Sequence, residues 1–177
     1  MSQPDLEAVK AYLQTLQLNA DRAEAQTSMA IVLLYLGDSQ QAEAALQTAL
    51  QLNDQWIPAL VNLSDLYRAT GRDEQGGPLL ARAVELAPEA PDVLLARALW
   101  LVRQQRSGAA MELLARAHEL APRNVRYAYT YAVALHSAGQ SEPALDVLDQ
   151  ALRLRPRDED LLRTAFGIAR DAGLQAR

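Results

Sequence analysis

Apolar residues return along this chain at three- and four-residue spacing, in stretches of about fourteen residues divided by short polar turns. That spacing predicts amphipathic α-helices rather than strands. The turns fall at "GD", "GR", "QR" and "GQ", residues 37–38, 71–72, 105–106 and 139–140. Glycine there supplies the left-handed backbone that ends one helix and turns into the next. One stretch breaks the pattern. In "RYAYTYAVALH", residues 126–136, Tyr127, Tyr129 and Tyr131 occupy alternate positions, as they would in a half-buried strand.

Self-comparison resolves the conflict. Pro88, Pro122 and Pro156 lie 34 residues apart, with Asp54 one period earlier. Leu46, Leu80, Leu114 and Leu148 keep the same spacing, as do Ala49, Ala83, Ala117 and Ala151, and Leu52, Leu86, Leu120 and Leu154. Gly37, Gly71, Gly139 and Gly173 share a phase in which Gln105 is the exception. A period in this range is the mark of a repeat architecture. Each proline stops a helix from running on, and Pro58, Pro91 and Pro143 fall near helix starts, where a missing N–H costs little. The unit is a helical hairpin. Residues 126–136 then fall in a first helix, where successive side chains turn by about 100°. Tyr127 and Tyr131 share the face toward the preceding hairpin, and Tyr129 points away from both.

This unit resembles the tetratricopeptide repeat. The residues that carry the resemblance are Leu60, Leu63, Ser64, Tyr67, Gly71, Leu80, Ala83 and Pro88 in one copy. Leu94, Ala98, Leu101, Ala110, Leu114, Ala117 and Pro122 carry it in the next, and Tyr131, Ala132, Leu135, Gly139, Ala144, Leu148, Ala151 and Pro156 in the last. The first copy matches through Ala30, Leu33, Gly37, Ala42, Leu46 and Ala49. The resemblance implies an all-α fold, a right-handed α-solenoid superhelix of about ten helices in a single domain spanning 1–177. Residues 1–22 form an N-terminal half-repeat helix. Repeats follow over 23–56, 57–90, 91–124 and 125–158, and 159–177 form a capping or half-repeat helix.

Such repeats line a concave wall with their first helices. Carried over, the groove comprises Ile31, Leu34 and Tyr35, then Val61, Asn62, Asp65 and Arg68. It continues through Leu95, Leu99, Val102 and Arg103 to Tyr129, Val133 and His136, and the same wall includes Thr27 before Ile31 and ends on Arg163 and Arg170. An apolar strip of this kind fits a peptide or helix of a protein partner. The alternative is that Leu95 and Leu99 belong to the core. Repeats that clamp acidic C-terminal tails place lysine, asparagine and arginine on this wall. Here Lys10 is the sole lysine, outside the wall, and Asn62 alone matches in type.

Two positions depart from the pattern. Arg97 stands where an aliphatic side chain is usual, and either packs its stem or pairs with an acid such as Asp65. Gly76, Gly77 and Pro78 fall early in a second helix, which is expected to start late or loosely. At the ends, "PDLEAVKAYLQTLQLN" reads as a second helix without its first, and 158–173 as a first helix without its second. The last helix caps the stack, or the chain is a segment of a longer solenoid, or the terminal helices of two copies associate head to tail.

Composition narrows the functional classes. Residues 1–90 carry 5 basic and 12 acidic groups, residues 91–177 carry 12 and 10, and the net charge is −5. That balance argues against nucleic acid. No apolar stretch is long enough to span a membrane. With no cysteine and only His118 (on a second helix, outward) and His136 (toward the groove), no metal site assembles. No base, nucleophile and oxyanion donor come together, and no cofactor motif appears, so a non-enzymatic interaction scaffold is expected. Residues 59–139 also resemble repeat modules attached to bacterial multihaem c-type cytochromes, which implies a docking role there. The compartment stays open: cytoplasmic for a complete chain, periplasmic for a piece of a secreted one.

Overall fold

The computed structural model describes residues 3–173. Ten helices and no strand occur among them. They are α1 (Gln3–Gln17), α2 (Ala23–Tyr35), α3 (Ser39–Leu52), α4 (Ile57–Ala69), α5 (Asp73–Leu86), α6 (Pro91–Arg103), α7 (Ser107–Leu120), α8 (Val125–Ser137), α9 (Ser141–Leu154) and α10 (Glu159–Asp171). From Ala23 onward every first helix begins 34 residues after the last, and every second helix does the same. The tyrosine stretch lies in α8, so alternation in the sequence carried no strand.

The turns explain the strict phase. Gly37, Gly71, Gly139 and Gly173 have φ of 84°, 76°, 79° and 69°, and Gln105 matches them at 59°. Behind each of the four within-hairpin turns, the N–H of the following residue reaches five positions back: Asp38 to Leu33, Arg72 to Tyr67, Arg106 to Leu101 and Gln140 to Leu135. This closure satisfies carbonyls that the helix end leaves open. Gln105 adopts the shape its neighbours assign to glycine and bears the steric cost of a side chain there.

The chain forms two compact halves, divided between Ala87 and Pro88. In the N-terminal half α2 pairs with α3 and α4 with α5, while α1 lies on α2 and α3 on α4. Its core interleaves alanines (Ala30, Ala42, Ala49, Ala59) with Leu46, Leu63 and Leu66. Small residues at fixed positions let the helices approach, and leucines fill the remaining space. The indole N–H of Trp56 donates to Thr27 Oγ1 at 3.0 Å. Arg72 clasps Glu43 with two bonds of 3.0 and 2.6 Å and lies over the Tyr67 ring at 4.8 Å.

The α4–α5 hairpin corrects the expectation of a late second helix. α5 starts on schedule at Asp73, with Pro78 inside it. A methyl group built on Gly76 would stand 2.5 Å from Ser64 Oγ. In the other three hairpins the corresponding pairs are Ala30 with Ala42, Ala98 with Ala110, and Ala132 with Ala144. Glycine therefore accommodates the serine hydroxyl across a close helix contact and loosens nothing.

In the C-terminal half α6 pairs with α7 and α8 with α9, α7 lies on α8, and α10 lies on α9. Ala132, Leu135, Ala144, Leu148, Leu161 and Ile168 form the core around α8–α10. Tyr127 is buried, and its hydroxyl donates to Asp92 on α6 at 2.6 Å. Burial, then the Asp92 carboxylate, push its pKa up to about 12, so it remains a donor. Arg97 lies over the Trp100 ring at 4.5 Å, while Asp65 pairs with Arg68 at 3.5 Å.

Candidate functional site

In the N-terminal half, Ile31, Leu34 and Tyr35 occupy the last turns of α2, and Tyr35 is 74% exposed. These three apolar side chains face solvent because α3 covers the opposite face of α2, where Ala23, Ala30 and Leu33 lie. Val61 and Asn62 are half-buried, and Asp65 and Arg68 are exposed as their own ion pair. Thr27 is buried, holding the Ala23 carbonyl at 2.8 Å and the Trp56 indole, which removes it from the wall. The side chain of Lys10 lies outside the described residues.

In the C-terminal half the expected strip divides. Leu95 is 2% exposed and belongs to the core, which corrects its place in the groove. It continues a run of buried residues, Val93, Leu94 and Leu95, at the start of α6. Leu99 is half-buried, and Val102, Tyr129 and Val133 are exposed. Arg103 is exposed on the last turn of α6. His136 is half-buried, its Nδ1 2.9 Å from Ser141 Oγ at the start of α9. Arg163 and Arg170 pair with Asp160 and Asp171 at 3.5 and 2.9 Å.

Sequence reasoning missed a cavity of about 620 Å³ whose lining includes Leu99, Val102, Gly108, Met111, Val133 and Ala134. It lies between the α6–α7 hairpin and α8, and its walls are almost wholly apolar. The signal was present: Ala134 stands where Val32, Leu66, Trp100 and Ile168 stand in the other first helices. A second, more polar concavity of about 780 Å³ opens near the start of α8, between Arg123, Arg126, Tyr129, Arg155 and Asp160.

His118 was expected to point outward. Instead its ring lies 5.7 Å from that of Tyr131, and its Nδ1 is buried without a hydrogen-bond partner. Burial pushes its pKa down, with Glu119 opposing. Among the described residues no three metal-ligating side chains cluster, and no helix is long and apolar enough to cross a membrane.

The hairpin period, the glycine turns and the alanine–leucine core define an α-helical repeat protein of the class that presents helix faces to other proteins. Residues 23–55 and 57–89 match one model of the tetratricopeptide repeat, and residues 101–165 match another. The chain belongs to the tetratricopeptide repeat family.

Among solved structures it is similar to YrrB, described as a TPR protein with an unusual peptide-binding site. Identity is 18% and the TM-score 0.73, over 94% of this chain and 86% of that one. It is also similar to TTC0263, a thermophilic TPR protein of Thermus thermophilus, with 23% identity and a TM-score of 0.73 over 91% and 88%. MamA of Desulfovibrio magneticus aligns at 18% identity and a TM-score of 0.70 over 86% of each chain. At these identities the likeness shows the shared fold. No curated protein sequence matches the chain.

Proposed function

We propose that the protein is a non-catalytic scaffold that binds a peptide or helix of a partner protein along the exposed apolar faces of its first helices. One observation carries this reading. Ile31, Leu34, Tyr35, Val102, Tyr129 and Val133 are all exposed large hydrophobics, and all lie on first helices. Of thirteen exposed large hydrophobics among the described residues, eight lie on first helices, and apolar residues grouped on one face mark an interaction surface better than scattered ones do. Asn62, Asp65 and Arg68 supply polar contacts beside the first group, and Arg103 and His136 beside the second. YrrB, which shares the fold, is described by its peptide-binding site.

Two double variants test the proposal, Ile31→Glu with Tyr35→Glu and Leu99→Glu with Tyr129→Glu. Partners retained on immobilised wild type should be lost from at least one of them, with helical circular dichroism unchanged. Identical partner sets on all three proteins would remove the assignment.

A second reading rests on α10. Leu162 and Phe166 correspond to Ala128 and Ala132 of α8, which α9 buries. Phe166 is 71% exposed. This face suits another helix, and the N-terminal helix of a second copy has a second-helix sequence that fits it. Light scattering over a concentration series decides the matter. A mass that stays at one protomer at the highest concentration ends this reading; growth abolished by Phe166→Glu supports it.

A further inference from the structure

The apolar cavity beside α8 exists because one junction lost the groups that fill its counterpart. Two periods earlier, between the α2–α3 hairpin and α4, the corresponding positions hold Leu66, Glu43 and Arg72. Leu66 is 2% exposed there, and Arg72 closes over Glu43 with bonds of 3.0 and 2.6 Å. That guanidinium holds the Glu43 carboxyl below its ordinary range. The C-terminal half has Ala134, Met111 and Gln140 instead. At the junction of the α8–α9 hairpin with α10 the space is taken by Ile168 and Leu145, both buried. Gly108 adds to the opening, since Gln40, Glu74 and Glu142 occupy its position in the other second helices. Substitutions on two helices, α7 and α8, therefore vacate one place and leave its walls apolar. Its volume of about 620 Å³ lies within the range of ligand pockets.

One turn along the same face of α8, Tyr129 leads from Val133 to the polar concavity. There Asp158 caps α10 through the Leu161 N–H at 3.2 Å, and Asp160 faces Arg163 at 3.5 Å. Arg123 and Arg126 are exposed and have no carboxylate partner among the described residues. Eight residues of helix, roughly 12 Å, separate Arg126 from Ala134.

We infer that the cavity receives an aliphatic side chain from an acidic peptide segment of the partner, whose carboxylates meet Arg123 and Arg126. The inference rests on the scaffold reading and names the chemistry of its ligand. The apolar walls match an aliphatic anchor, and the two uncompensated cations match acidic flanking residues. Such a segment spans the interval in about four extended residues or two helical turns.

Random twelve-residue peptides displayed on phage would be selected on the 177-residue protein, and an enriched sequence measured by fluorescence anisotropy. The expected sequences place Asp or Glu within a few residues of Leu, Ile, Val or Met. Ala134→Leu restores the bulk found in the other hairpins and should weaken binding about tenfold or more. Gly108→Gln should do the same, and a Cβ at Gly108 meets nothing within 4 Å, so this variant folds even if the first does not. Arg123→Glu with Arg126→Glu should weaken binding and flatten its salt dependence. Peptides bound equally by wild type and both filled variants would overturn the inference and leave the scaffold reading standing. Enrichment of no acidic–aliphatic sequence would overturn it too, and enrichment of nothing at all would count against both.

Discussion

Gln105 shows how far a repeat holds its conformation when one residue departs from it. The turn keeps its closure, with the Arg106 N–H 2.9 Å from the Leu101 carbonyl, although φ is positive at a non-glycine residue. Gln105→Gly removes that strain but frees the unfolded chain, so the net gain is roughly 0.5–1 kcal/mol. Urea denaturation should show a higher midpoint, and an unchanged or lower one would mean the glutamine side chain contributes something the turn geometry does not show. His118 carries a pH effect of definite sign. Its pKa in the folded protein lies below the ordinary histidine value of about 6.5. The unfolded chain thus takes up the proton first as pH falls. The stabilisation is complete above about 6.5 and is lost as pH drops from there toward the folded-state value. His118→Phe keeps a ring against Tyr131 and removes the titration. The melting temperature should then fall less between pH 7.5 and 5.5 than in the wild type.

At the scale of helices and hairpins, most of the fold was legible. Alanine, leucine and glycine at fixed offsets specified every hairpin from Ala23 onward, because small-on-large packing and left-handed turns tolerate few residue types. The start of α5 was misread because glycine and proline were weighed as helix breakers in isolation. What mattered was the partner across the hairpin: Ser64 needs the space Gly76 leaves. Gly76→Ala should cost about 1 kcal/mol, since crowding outweighs the gain in helix propensity. Adding Ser64→Ala recreates the pair of the other three hairpins and should return stability to the wild-type level or above. A double-mutant cycle measures this, and simple additivity of the two changes would refute the steric account.

For the molecule as a whole, the period located side-chain directions but not depths. Thr27, Val61, Leu95 and Tyr129 share one offset in the repeat, yet Tyr129 is exposed, Val61 is half-buried, and Leu95 and Thr27 are buried.

 Whether such a position reaches solvent depends on the neighbouring hairpin, which an offset does not encode. The cavity escaped notice for the same reason: it is defined by what Ala134, Met111 and Gln140 no longer supply, and only comparison with Leu66, Glu43 and Arg72 makes that visible. Because one hairpin is written four times, its copies also constrain the order in which a copy could have diverged. Starting from an alanine pair, a serine hydroxyl arriving first would crowd the methyl group opposite at about 1 kcal/mol, whereas losing the methyl first leaves only a small void. Glycine at 76 followed by serine at 64 is therefore the less costly of the two orders.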